Sequence, residues 1–326
     1  MKILVTGGTG FIGSALIERL LKENKQISVL VRNIEKAKKF SWSSRVEIFK
    51  GDLEDFSSLK KATENVNVVY HCAALMDDFN LKYKKMKETN VEGTKNLLEA
   101  CRLNKIKKFI HISSVAAMGK VPLNTTEDVI CNPITNYDKT KLASEILVKE
   151  FCIKNKIDFV IIRPSMVYGP GEIKNKAKMF QYIQKGYFRI IGNGNNLVDL
   201  VYIDDLIDAI LSASKSKKAI NQIYIISGDC PINMNEFINL IAKYIGVKNP
   251  RHILLILANI FGGIFIFLSK FIPLNPPLFK NRINSLTISR SYNCTKAKKD
   301  LNYKPKIKPE EGIKRTVGWY KENNIL

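Results

Sequence analysis

Cysteine is scarce and scattered: Cys72, Cys101, Cys131, Cys152, Cys230 and Cys294 are the only six in 326 residues, and no two are spaced as CxxC. That scatter excludes a disulfide framework and a metal-ligand cluster, and it reads as the reduced thiols of a cytoplasmic protein. No internal repeat or long low-complexity tract is present, which excludes a repeat array. The apolar N-terminus is broken by Gly7 and Gly8, too early for a signal peptide. Acidic residues are few, 30 against 52 Lys and Arg, leaving a net charge of +22. Such an excess reads either as lysine spread over a solvated surface or as attraction to an anionic partner, a phosphorylated ligand or a membrane surface. Nucleic acid is not expected, because no stacking aromatics interleave with the basic runs.

What is present is a regular alternation. Short apolar runs stand at 3–5, 27–31, 46–49, 66–70, 109–112 and 159–162, separated by amphipathic stretches such as 14–22, 94–103 and 141–151. Buried strands joined by helices predict an α/β fold with a doubly wound parallel sheet. After Pro164 the pattern loosens, with helices expected over Met234–Ile245 and 310–320. The expected division is 1–165 for dinucleotide binding and 166–326 mainly for a smaller C-terminal substrate-binding subdomain. Segments near 197–226 are expected to return to the first part.

Residues 6–13 read TGGTGFIG directly after the first predicted strand. Gly7 permits a tight turn, Gly10 lets the backbone approach a pyrophosphate, and Gly13 lets the chain pack closely. The helix that follows presents free N–H groups and a positive dipole end to phosphate. Thr9, Phe11 and Ile12 complete the candidate loop. Arg32 follows the second strand, where an acidic residue would favour NAD(H) by accepting from the ribose 2′-hydroxyl. An arginine can instead clamp a 2′-phosphate, with Lys36 one turn beyond, so NADP(H) is favoured. The alternative is that Arg32 stacks on adenine or faces water.

Tyr137 and Lys141 form YxxxK. Residues four apart share a helix face, and a neighbouring cation lowers a phenol pKa from near 10 toward a useful range for general acid/base work. Ser113 and Ser114 end the fifth strand, at the sheet edge where ligands bind. Ser114 can hold a substrate oxygen against Tyr137; its bland alternative is a cap or turn residue.

In order along the chain stand TGGTGFIG at 6–13, Asp52-Leu53, HCAA at 71–74, NVEGT at 90–94, ISS at 112–114, YDKTK at 137–141, RPSMVYGPG at 163–171, VYIDD at 201–205, LNYKP at 301–305 and VGWY at 317–320. Together they resemble the extended short-chain dehydrogenases/reductases (the NAD-dependent epimerase/dehydratase family) over essentially the whole chain. The resemblance implies a Rossmann sheet and a catalytic set of Ser114, Tyr137 and Lys141, with Tyr137 and Lys141 also contacting the cofactor. It also implies adenine contacts at Asp52 and Leu53, a cofactor wall at Ala73 and Ala74, and Pro164 beside the nicotinamide. Asn90 would be structural or would organise water near the lysine.

Two features bear on the substrate. Sugar-nucleotide epimerases resemble GxGxxxRDxVxVxD where this chain reads GNGNNLVDLVYIDD at 192–205, so Val198 stands in place of a diphosphate-gripping arginine. A second family arginine would fall near Ile283, with Arg282 one residue away. The uncharged run 253–268 has only Asn259 polar. It is open to three readings: a buried helix or lid, a peripheral membrane contact, or a span, the last disfavoured because the family motifs resume after it. Together these favour hydride exchange with a lipophilic secondary alcohol or ketone. Alternatives are a nucleoside-diphosphate-sugar epimerase or dehydratase using the same three residues, and a non-catalytic dinucleotide sensor or scaffold. A small-molecule substrate, a homodimer and contact with the inner face of a membrane are the expected partners.

Overall fold

The computed structural model describes residues 1–76, 81–268 and 280–326, apart from the side chains of 266, 268, 280–282 and 285. Seven strands form one parallel sheet: β1 (Lys2–Thr6), β2 (Gln26–Val31), β3 (Glu47–Lys50), β4 (Val68–His71), β5 (Lys108–Ile112), β6 (Asp158–Pro164) and β7 (Gln222–Ile226). Their order is β7-β6-β5-β4-β1-β2-β3. The chain therefore runs outward from β1 in one direction, returns, and runs outward in the other. That doubly wound order leaves a crevice where the direction reverses, between β1 and β4.

Successive side chains of a strand point to opposite faces, and both faces of this sheet are covered. Ile3 and Val5 join one core with α1 (Phe11–Lys22), while Leu4 joins another with α2 (Gly93–Leu103) and α3 (Asn136–Asn155). The first core also takes Leu206, Ile207 and Ile210 of α4 (Ile203–Lys215). Two-sided burial is why the strands read as unbroken apolar runs rather than alternating ones.

The later chain adds short pairs. Met166–Tyr168 lies beside Leu200–Tyr202, Leu197–Val198 beside Ile232–Asn233, and Ile190–Ile191 beside His252–Ile253. Helix α5 (Met234–Ile245) packs on the first core, capped by the Asn233 side chain on the Glu236 amide and closed by Gly246 in the left-handed conformation. Helix α6 (Leu255–Leu268) is different. Ala258 is buried against Ile191 and Ile283 of helix α7 (Lys280–Thr287), yet Ile256 is 72% and Phe267 58% exposed. The buried-core reading of 253–268 is thus corrected: Ala258 and Gly262 anchor the helix, while Ile256, Ile260, Phe261, Ile264 and Phe267 face out. At 14 residues it spans about 21 Å, short of a ~30 Å hydrocarbon core. Among the described residues, no helix is long and apolar enough to cross a membrane.

Candidate active site

The parallel order puts the sequence-selected residues in one row. Pro164, Ser114, Ala73, Gly7, Arg32 and Asp52 lie at or just past the C-terminal ends of β6, β5, β4, β1, β2 and β3, which are neighbours in that order. Strands sit ~4.8 Å apart, so the row runs about 24 Å, an elongated site suited to an elongated ligand.

At its centre the chain turns from β1 into α1. Gly7 has φ +72°, and a Cβ there would meet the Ala73 amide nitrogen at 2.6 Å. Any larger residue would drive β1 and β4 apart at the crevice. Gly13, inside the first turn of α1, has no room for a Cβ against the Gly7 carbonyl. Gly10 is the helix N-cap and supplies no side-chain cap; no acidic residue occupies the first turn. Helix N–H groups and dipole are left for an outside acceptor. The cradle therefore fits a dinucleotide pyrophosphate, with Thr9, Phe11 and Ile12 half-buried along it. Arg32 and Lys36 are exposed beyond β2. Asp52 is half-buried, its Oδ1 accepting from the Glu54 amide at 3.1 Å. Leu53 turns its side chain into the core, so only its backbone borders the row.

Helix α3 opens on a capping box: Thr135 accepts from the Asp138 amide, and Asp138 accepts from the Thr135 amide at 2.9 Å. This fixes Tyr137, half-buried in the first turn. One turn on, Lys141 is only 3% exposed and its Nζ donates to the Ile112 carbonyl at 2.8 Å, at the end of β5. Burial pushes its pKa down to about 8. Ser114 begins a short turn and its Oγ accepts from the Ala116 amide at 3.1 Å. The cap uses a lone pair and leaves the hydroxyl proton to donate elsewhere, so the cap reading and the orienting reading are compatible.

Several supports carry weak sequence signals. Asn90 accepts from the Leu75 amide at 2.7 Å and donates to the Leu75 carbonyl and to Thr140 Oγ1 at 2.9 and 3.2 Å. It ties the segment after Ala73-Ala74 to the helix bearing Lys141, a structural role. His71 lies between Thr6 and Thr94 at 2.7 and 2.9 Å, and stacks on His111 at 5.4 Å. His111 contacts Ser144 Oγ at 3.2 Å, which donates to the Lys141 carbonyl. Arg163 is buried and paired with Glu145. Glu145 follows Lys141 by four residues, the spacing that could have singled it out; the histidines show only as apolar-strand interruptions.

Val198 is 4% and Ile283 3% exposed, both in apolar surroundings. The Arg282 side chain lies outside the described residues. Two hollows among the described residues stand apart from this edge. One of about 460 Å³ is lined by Glu127, Lys296 and their neighbours, and one of about 660 Å³ by Met1, Tyr70, Lys108 and theirs.

Residues 3–227 match the NAD dependent epimerase/dehydratase family. The chain is 30% identical to 3beta-hydroxysteroid-dehydrogenase/decarboxylase isoform 2 of Arabidopsis thaliana, over 96% of this chain and 61% of that protein. The chain thus spans under two thirds of that relative's length. It is 29% identical to the Mus musculus sterol-4-alpha-carboxylate 3-dehydrogenase, decarboxylating, over 97% and 90% of the two chains. Among solved structures, UDP-glucuronic acid 4-epimerase from Bacillus cereus in complex with NAD superposes with a TM-score of 0.82 at 26% identity, covering 99% of this chain and 97% of that one. The cradle, the doubly wound order and these likenesses agree: the chain belongs to the NAD-dependent epimerase/dehydratase family and is an enzyme of the extended short-chain dehydrogenase/reductase class.

Proposed function

We propose that this enzyme exchanges a hydride with a secondary alcohol or ketone on a lipophilic, sterol-like molecule. The observation that carries the reading is Val198, buried and apolar where sugar-nucleotide epimerases place a charged clamp. The names of the Arabidopsis and mouse relatives point the same way. The second reading, a UDP-sugar epimerase, draws on the likeness to the Bacillus cereus structure.

Residues 1–165, with 197–226, would form the dinucleotide-binding part, and 166–326 mainly the substrate part. The bound nicotinamide supplies or accepts the hydride. Around it, Ser114 donates to the substrate oxygen, Tyr137 carries the proton to or from that oxygen, and Lys141 favours the phenolate. Gly7, Thr9, Gly10, Phe11, Ile12 and Gly13 would hold the pyrophosphate, and Arg32 a 2′-phosphate. Ala73, Ala74 and Pro164 would wall the cofactor. Helix α6 would rest on a membrane surface, its exposed Ile256, Ile260, Phe261, Ile264 and Phe267 among the acyl chains.

The test is oxidation of hydroxysteroids, set beside conversion of UDP-glucose and UDP-glucuronic acid. Turnover of the steroid alone is expected. Tyr137→Phe should abolish it, by about 10²-fold or more, with cofactor affinity near native. Turnover of the UDP-sugars alone would overturn the lipophilic reading, and an active Tyr137→Phe would overturn the proton role.

A further inference from the structure

We propose that Glu145, clamped by Arg163, is a positioning residue that sets the pH range over which Lys141 stays charged. The proposal rests on the role given above to Lys141. Lys141 and Glu145 are four apart on α3 and both 3% exposed, so both face the interior on one side of the helix. The carboxylate cannot reorient freely. Arg163 Nε donates to its two oxygens at 3.1 and 3.2 Å, and Arg163 Nη2 donates to Oε2 at 2.7 Å. The guanidinium is itself fixed, with Nη1 donating to the Glu127 carbonyl at 3.2 Å and Nη2 to Cys131 Sγ at 3.8 Å.

A buried ammonium that donates to a neutral carbonyl still needs a compensating charge nearby. The groups facing it are Tyr137 and Glu145 on its own helix, His71 and Cys72 at the end of β4, and His111 on β5. Burial holds both histidines neutral and pushes the Cys72 thiol up to about 12, so none of the three adds a charge near neutrality. Glu145 therefore supplies the formal negative charge that favours the ammonium against burial. Arg163 sits on β6 and holds that charge in place. The guanidinium is permanently charged, so it goes on donating to this carboxylate over the range in which Lys141 titrates.

The experiment uses the full chain with lysine ¹³C-labelled at Cε, the Lys141 signal assigned by its loss in Lys141→Met. Its titration midpoint is followed through the neutral and alkaline range. Glu145→Gln should lower the midpoint by about one pH unit, a tenfold change in proton affinity, while Glu145→Asp restores most of it. Stranding Arg163 endangers folding, so Glu145→Gln is also made together with Arg163→Met, which removes the pair whole; the midpoint should again fall. An unchanged midpoint in either folded variant overturns the proposal. No substrate enters this measurement. Failure of the underlying chemistry would show separately, as native NADPH and NADH binding and native turnover in Lys141→Met.

Discussion

Arg32 is the residue at which one side chain would decide the choice of cofactor. It stands exposed past the end of β2, with Lys36 exposed a turn beyond and Asn33 between them capping the short helix Ile34–Lys38. Two cations at this end of the row would favour a ligand carrying an extra phosphate dianion. NADPH should therefore bind more tightly than NADH, and Arg32→Asp should erase or reverse the order; fluorescence titration of both cofactors checks it, and equal native affinities would count against it. Residues of this kind were legible because chemistry and spacing coincide. Gly7 and Gly13 are required by backbone approach, and Tyr137 and Lys141 by helical period. His71 was not legible. Its role depends on Thr6 and Thr94, contacts 65 and 23 residues away that no local pattern announces.

Among elements, strands were easier to read than α3. Two-sided burial makes each strand an apolar run, whereas the inward face of α3 is polar, with Thr140, Lys141, Ser144 and Glu145 buried. Apolar periodicity therefore finds 141–151 and misses the turn that carries Tyr137. The seventh strand, Gln222–Ile226, was covered only by a broad return segment, because 57 residues separate it from β6. The ends of β4 and β5 carry a further consequence. Burial holds His71 down to about 3, and His111 moves the same way. Between that value and about 6.5, the unfolded chain binds protons that the native one refuses. This stability is present above pH ~6.5 and is lost as pH falls, by about 1.4 kcal/mol per pH unit for each such proton. Asp199 acts oppositely: burial raises it to about 7, so its contribution fades as pH rises toward that value. Urea unfolding of the native chain and of His71→Gln isolates the histidine. The variant should show a pH slope flatter by close to one proton across this window, and identical slopes would refute the assignment.

For the whole molecule, the +22 charge and the outward face of α6 would act together in the proposed membrane contact. Flotation with anionic vesicles should recover the protein, less so with neutral vesicles or added salt. Ile256→Asp with Ile260→Asp should weaken recovery several-fold while leaving unfolding unchanged, since both side chains face outward. Recovery indifferent to both lipid charge and the double substitution would exclude this mode of contact. A different consequence follows from the sheet order. An open sheet has two edges, each a template for unwanted pairing with another chain. At one edge, β3 is four residues long with exposed Glu47 and Lys50 at its ends. At the other, β7 is guarded by the helix Thr295–Leu301, whose Lys296 donates to Gln222 and lies 5.1 Å from the Tyr224 ring. With the Glu127 carboxylate, which accepts from the Ile225 amide at 2.8 Å, this helix screens the edge, and a chain cut short before it would be expected to bare the Gln222–Tyr224 part of a strand that is otherwise covered.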